Sequence, residues 1–243
     1  MFRNAFQSGF LSIFSANGSH PFQLWDIHLQ DDGEIRLIKD MSDCDASCDE
    51  SNHISGPLIE MTCSDLSQNY IMCPLKLDSS SERPSLGITL PVLYLTIYMP
   101  ERTKQQQQMN HFSLEVIVLD DKHITRRFRC STFQSTTTLN PDICTFPLRL
   151  KKRPRGLKRE QLLLPPLERD NPQQTNNEEE DCEPCWNRIC IPLAEYTYKA
   201  YGTQLQETKH LQIQGRHFYM NRVYFAEKQV SEDELPQSFR LFR

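Results

Sequence analysis

Phe112-Ser-Leu-Glu-Val-Ile-Val-Leu-Asp-Asp-Lys-His-Ile-Thr-Arg-Arg-Phe-Arg-Cys130 is the stretch that decides the fold. Phe112, Leu114, Val116 and Val118 alternate with Ser113, Glu115 and Ile117, the period of two that gives a strand one strongly apolar face. Asp120-Asp121-Lys122 is a turn signal, and Ile124 to Cys130 follows as the hairpin partner. On that second strand Arg127 and Arg129 share a face and Arg126 points the other way.

The same pattern extends outward. Val92 to Met99 is β-branched and aromatic, long enough for a strand and short for a helix. Glu34 to Ile38 alternates after an Asp32-Gly33 turn signal. Pro21 to Leu29 suggests a strand with one irregularity near Trp25-Asp26. Leu58 to Cys63, Tyr70 to Cys73, Cys144 to Leu150, Trp186 to Leu193, Thr208 to Gln214, Arg222 to Ala226 and Phe239 to Phe242 complete the strands. Two helices are expected. Leu193 to Tyr201 has helical spacing with Gly202 at C′. Ser231-Glu-Asp-Glu234 is a capping-box pattern closed by Pro236. Many short strands without βαβ alternation predict an all-β fold, an antiparallel β-sandwich or jelly roll with one or two short helices.

Four stretches read as flexible inserts: 40–56, which is acidic and polar; 78–84, rich in Ser; 102–110, with the Gln105–Gln108 run; and 151–184, basic at its start and acidic at its end. They explain an apolar share of 38% in 243 residues, below the roughly 45–50% of an average globular chain. Without them one domain of roughly 180 residues remains, the size of a single sandwich.

Composition also narrows the function. A net charge of −5 gives no whole-chain basic field for nucleic acid. The longest apolar stretch, Ile88 to Met99, falls far short of the about 20 residues of a spanning helix, and the N-terminal stretch lacks the regions of a signal peptide. The reading is therefore cytosolic with no membrane. The nine cysteines are odd in number and irregularly spaced, which predicts reduced thiols.

Cys182-Glu-Pro-Cys185 could be half of a zinc site, with Cys44, Cys48 and His53 as the other half. Both lie in predicted inserts, and no βα context supports a redox pair. Free thiols are the expectation, with no metal and no cofactor. No HExxH, GxSxG or GxxxxGK[ST] occurs, so no enzyme is expected. Basic residues cluster twice, at Arg126, Arg127 and Arg129 and from Lys151 to Arg159. The second cluster reads either as a solvated charge run or as a nuclear-localisation or nucleic-acid patch.

Several blocks then add up. They are Phe6-Gln-Ser-Gly-Phe-Leu-Ser-Ile13, Gln23-Leu-Trp-Asp26, Leu119-Asp-Asp-Lys122, Arg126-Arg-Phe-Arg129, Gln134-Ser-Thr-Thr137 and Ile143-Cys-Thr145. Arg149-Leu150, Trp186-Asn187, Ala200-Tyr-Gly-Thr203, Arg222-Val-Tyr-Phe225 and Ser231-Glu-Asp-Glu-Leu-Pro236 follow. In this order, across nearly the whole chain, they resemble the cilia- and flagella-associated protein twenty family, also called the basal-body-up-regulated family. The resemblance covers 1–243 as a single family domain and implies a β-sandwich of jelly-roll type.

It further implies a structural, non-enzymatic microtubule inner protein of the axoneme. Its place would be the inner junction, where the B-tubule closes onto the A-tubule of a doublet microtubule, supporting motility. The partners implied are tubulin and an inner-junction neighbour like the parkin co-regulated protein. Localisation would be the cytoskeleton of the cilium or flagellum, with the basal body or nucleus as further sites. The 151–184 insert marks a divergent paralogue, of particular axonemes such as those of sperm. Because tubulin is acidic, Arg126, Arg127, Arg129 and Arg222 are the candidate lattice contacts. The alternative function is a module binding nucleic acid or glycan. Glycan would need an exposed aromatic platform, and Trp25 and Trp186 both sit in strand-like patterns that bury them.

Overall fold

The computed structural model describes residues 1–39, 54, 56–76, 83–100, 110–154 and 182–240. Most of the expected inserts, namely 40–53, 55, 78–82, 102–109 and 155–181, therefore lie outside the described residues. The strands run in chain order as β1 (Phe10–Ser15), β2 (Asp26–His28), β3 (Glu34–Ile38), β4 (Leu58–Thr62), β5 (Tyr70–Cys73), β6 (Val92–Tyr98), β7 (Phe112–Asp120) and β8 (Thr125–Ser131). They continue as β9 (Thr138–Leu139), β10 (Ile143–Pro147), β11 (Lys152–Pro154), β12 (Cys182–Pro184) and β13 (Asn187–Pro192). The helix α1 (Leu193–Tyr201), β14 (Leu205–Gly215) and β15 (His217–Ala226) close the set.

Two sheets form the sandwich. The first has the order β13-β6-β15-β4-β3, with β1 also on β15; the second runs β2-β5-β14-β7-β8-β10-β9. One edge of β15 is divided: His217 to Met220 pair with β4, and Arg222 to Ala226 pair with β1. Between them a bulge re-aims the strand. The alternating apolar residues of β7 meet Leu93, Leu95 and Ile97 of β6 and Phe218, Val223 and Phe225 of β15 across the core. Phe112 and Phe218 stand edge-on at 5.2 Å. Each such fully buried side chain is worth roughly 1.5–3 kcal/mol, so the two facing sheets supply most of the stability.

The β7–β8 hairpin and α1 form where the sequence places them. Gly202 takes φ +65 and its N–H bonds Tyr198 O at 2.8 Å, the left-handed cap that glycine allows. The two ends of the predicted 151–184 insert are ordered, pairing as the antiparallel ribbon β11–β12 because its residues face each other across the connection; four further features differ from expectation. β10 pairs with β8 in parallel, which the connection at residues 132–142, close to the dozen or so residues of a parallel crossover, permits. β1 is a strand that alternation hides, since its register shifts between Ser12 and Phe14. Only Asp26–His28 of the Pro21–Leu29 stretch is strand; the rest turns through Gln23 N–His20 O and Trp25 N–Phe22 O bonds.

The C-terminal pattern is the fourth. Ser231 N and Oγ do donate to Glu234 Oε2, at 2.8 and 3.1 Å, yet Pro236 ends the segment before a helix can form. A single 3-10 turn at Gln237–Phe239 stands where a strand was expected from Phe239. Val230, Leu235 and Phe239 instead lie over the outer face of the first sheet, against Tyr94 and Tyr224. Residues 241–243 lie outside the described residues. No helix of the described residues is long and apolar enough to cross a membrane.

Candidate functional site

The outer face of the second sheet carries the exposed part of the predicted arginine set. In the β7–β8 ladder Glu115 stands opposite Arg129, and Ile117 opposite Arg127. Arg129 donates from Nε and Nη2 to Glu115 Oε2 at 2.9 and 2.6 Å. Arg127 Nε lies 3.2 Å from Glu115 Oε1. One carboxylate, with its side chain 13% exposed, therefore holds two guanidinium groups that are 47% and 43% exposed. The trio has a net charge of +1 on a rigid, hydrogen-bonded floor.

A polar strip continues this row across the sheet. Thr145 of β10 stands beside Arg129 and shares a 2.6 Å hydrogen bond with Thr138 of β9. Gln134 donates to Thr145 Oγ1 at 2.9 Å. On the other side Gln212 of β14 stands opposite Glu115 and donates to Gln214 Oε1 at 3.0 Å. Sequence reasoning found the arginines and missed Glu115 as their common partner, because cross-strand register leaves no local mark.

The other two predicted arginines lie elsewhere. Arg126 points to the opposite face, as strand parity dictates. Its Nε donates to Asp120 Oδ2 at 2.9 Å, and the Asp120 side chain is fully buried. Its guanidinium also sits 4.3 Å over the Tyr201 ring. Arg222 belongs to the first sheet and lies 4.6 Å over the Phe239 ring; burial pulls its pKa down. The predicted set therefore divides, and Arg127 and Arg129 form its outward-facing part.

A second charged cluster occupies the outer face of the first sheet. Glu60, buried on β4, lies 2.7 Å from Arg36 Nη2. It also lies 3.0 Å from His217 Nε2 and 2.8 Å from the Tyr219 hydroxyl, which donates to it. Burial alone would raise the Glu60 pKa. The hydrogen bonds from His217 and Tyr219 and the charge of Arg36 outweigh it and bring the carboxyl down to about 2.

Cys63, Cys73, Cys130, Cys144, Cys182, Cys185 and Cys190 are free thiols. Burial pushes the Cys63 thiol up to about 11 and Cys130 to about 12, the inert end of thiol behaviour. Cys185 Sγ donates to Lys151 O at 3.2 Å. Cys182 stands opposite Pro154 in the β11–β12 ribbon. Cys44, Cys48 and His53 lie outside the described residues. Among the described residues no group of three or more His, Cys, Asp or Glu side chains is placed to hold a metal ion. Trp25 is buried and donates its indole N–H to Ile13 O at 2.9 Å. Trp186 is buried against Tyr98, with ring centroids 5.7 Å apart. Neither indole offers a stacking platform to a sugar or a base.

The model of the CFA20 domain matches residues 1–157 and 180–243. The chain belongs to the CFA20 domain family. Its relatives include the cilia- and flagella-associated protein 20 of Chlamydomonas reinhardtii, 34% identical over all of this chain and 97% of the relative. The protein of the same name from Paramecium tetraurelia is 34% identical over all of this chain and 96% of its own length. That of Caenorhabditis elegans is 32% identical over all of this chain and 91% of its own. The family carries a cilium- and flagellum-associated role. Residues 158–179, which the CFA20 domain leaves unmatched, fall within 151–184. Among solved structures the chain is similar to the CBM22-1 and GH10 modules of xylanase 10B from Clostridium thermocellum. That likeness is at 9% identity and a TM-score of 0.31, over 86% of this chain and 27% of the other.

Proposed function

We propose that this chain is a structural protein of the ciliary and flagellar axoneme. It is seated at the inner junction, where the B-tubule closes onto the A-tubule of a doublet microtubule, and it supports motility without catalysing a reaction. The observation that carries the reading is membership of the CFA20 domain family along the whole chain, at about a third identity to proteins named for cilia and flagella. Tubulin is the principal partner, and an inner-junction protein of the parkin co-regulated type is the neighbour.

The geometry supports this with a surface suited to an acidic wall. Arg127 and Arg129 are fixed by Glu115 on a sheet rather than on a loop, so little side-chain freedom is lost on docking. Arg127 meets Glu115 through Nε, and its planar fork is shaped for a partner carboxylate. Each exposed pair is worth only about 0–1 kcal/mol, so binding draws on both arginines together.

Replacing Arg127 and Arg129 together with glutamine removes both charges without crowding Glu115. The folded double variant is expected to bind salt-stripped doublet microtubules at least about tenfold more weakly at low salt, a change of about 1.4 kcal/mol. Its binding should also depend less steeply on salt. Co-sedimentation at two salt concentrations checks this. Wild-type affinity with wild-type salt dependence in the double variant would remove these arginines from the interface.

A further inference from the structure

Phe6 is 95% exposed, far above any other large apolar side chain among the described residues. It does not sit on a loose end. On its N-terminal side Phe2 packs against the core, and Phe2 N donates to Leu86 O at 2.6 Å. Arg3 reaches Glu207 with two hydrogen bonds, of 3.0 and 2.7 Å, and Glu207 is itself buried. Immediately after Phe6, the Gln7 side chain donates to Phe2 O and Gly87 O at 2.9 and 2.8 Å and accepts from Thr89 N at 2.9 Å. Further on, Glu227 N donates to Gly9 O at 3.0 Å.

The neighbouring chain is shaped to receive this strap. Gly87 has φ +68, and a Cβ there would lie 2.8 Å from Arg3 N, so a side chain at 87 would lift the strap off. A buried carboxylate, a glycine and an amide side chain all hold down a segment whose tip is a bare phenyl ring. An exposed ring gains none of the stabilisation that burial of a large apolar side chain provides. A pre-ordered backbone removes most of the entropy cost of inserting it elsewhere. Aromatic side chains, Phe among them, are enriched at protein interfaces.

Arg3 of the strap reaches the face that carries Arg127 and Arg129. Glu207 stands opposite Leu119 in the β14–β7 ladder, and Leu119, Ile117 and Glu115 alternate onto one face of β7. Across the sheet the order is strap, residues 86–88, β14, β7 and β8. Four interstrand steps of about 4.8 Å across the sheet, with an offset of about two to four residues along it, put the strap roughly 2 nm from the β8 arginines. The exposed residues beside Phe6, Asn4, Ala5 and Ser8, are uncharged. Arg3 is already paired. A single exposed ring beside uncharged neighbours suits neither a lipid surface, which takes a larger apolar face with a row of basic residues, nor a nucleic-acid strand, which takes several stacking rings along a basic groove.

We propose that Phe6 is the aromatic anchor of a protein interface. It inserts into an apolar socket of a folded acidic partner whose carboxylates lie about 2 nm away against Arg127 and Arg129. The choice of the doublet wall as that partner rests on the axonemal reading above.

Full-length wild type, Phe6→Ala and Phe6→Trp are titrated onto salt-stripped doublet microtubules at two salt concentrations, and their melting is compared. Phe6→Ala is expected to melt as wild type and to bind at least tenfold more weakly at both salts. Phe6→Trp should stay within about threefold of wild type. Phe6→Ala binding within twofold of wild type overturns the inference and leaves the axonemal reading standing. So does a loss that vanishes at high salt, or one that accompanies unfolding. Wild type that does not bind doublets at all overturns both.

Discussion

Asp120→Ala is expected to remove about 3–5 kcal/mol of folding stability, the cost of leaving a buried charge without its partner. Asp120 is fully buried. It accepts from Ile124 N at 2.7 Å, Lys122 N at 3.1 Å and Arg126 Nε at 2.9 Å. One side chain thus closes the β7–β8 turn and neutralises an arginine laid over Tyr201, on the last residue of α1. Truncation would leave the Arg126 side chain, 11% exposed, without its carboxylate and would release two turn amides. For a chain of this size the melting temperature should fall by roughly 10 °C, at about 2–4 °C per kcal/mol. Arg129→Ala, on the exposed face of the same strand, should cost no more than about 1 kcal/mol. Thermal and urea unfolding of the two variants decide the matter. A loss below about 1 kcal/mol for Asp120→Ala would mean that the turn holds without its carboxylate.

Glu60 sets the acid limit. Its carboxyl titrates at about 2 in the folded chain against 4.5 for a free glutamate. A depressed carboxylate pKa adds stability that is complete above the unfolded value and is lost as pH falls through the folded one. Each tenfold change in proton affinity between the folded and unfolded chain is worth about 1.4 kcal/mol, so the contribution is up to about 3 kcal/mol at neutral pH. About 2 kcal/mol of this should be gone by pH 3. Asp120 and Glu207, also held below the ordinary carboxylate range, act in the same direction. In Glu60→Gln the loss of stability between pH 6 and pH 3 should be smaller than in wild type by about 2 kcal/mol. Urea unfolding at a series of pH values measures it, and parallel curves for the two proteins would contradict the assignment.

What the sequence revealed depended on whether the information is local. The β7–β8 hairpin and α1 with its Gly202 cap are written in short-range periodicity and turn chemistry, and both form in place. The separation of Arg126 from Arg127 and Arg129 also follows from strand parity alone. β1 was hidden because a register shift at Ser12–Phe14 breaks its alternation. The parallel β8–β10 pair was hidden because partner choice belongs to topology. Likewise the capping-box hydrogen bonds at Ser231 form without a helix, since Pro236 and the apolar cover of Tyr94 and Tyr224 decide the path. The site was legible in its charges and not in its geometry. Nothing near Glu115 says that it serves two arginines, and nothing near Phe6 says that the folded chain leaves its ring in solvent.

Locating the protein in ciliated cells tests its proposed assignment to the inner junction most directly. Cryo-electron tomography of doublet microtubules carrying a density-tagged copy of this chain, averaged against untagged doublets, gives that location. The assignment predicts extra density on the luminal side of the junction where the B-tubule closes onto the A-tubule. Tag density confined to any other part of the axoneme, or to the cell body with none on doublets, would contradict it.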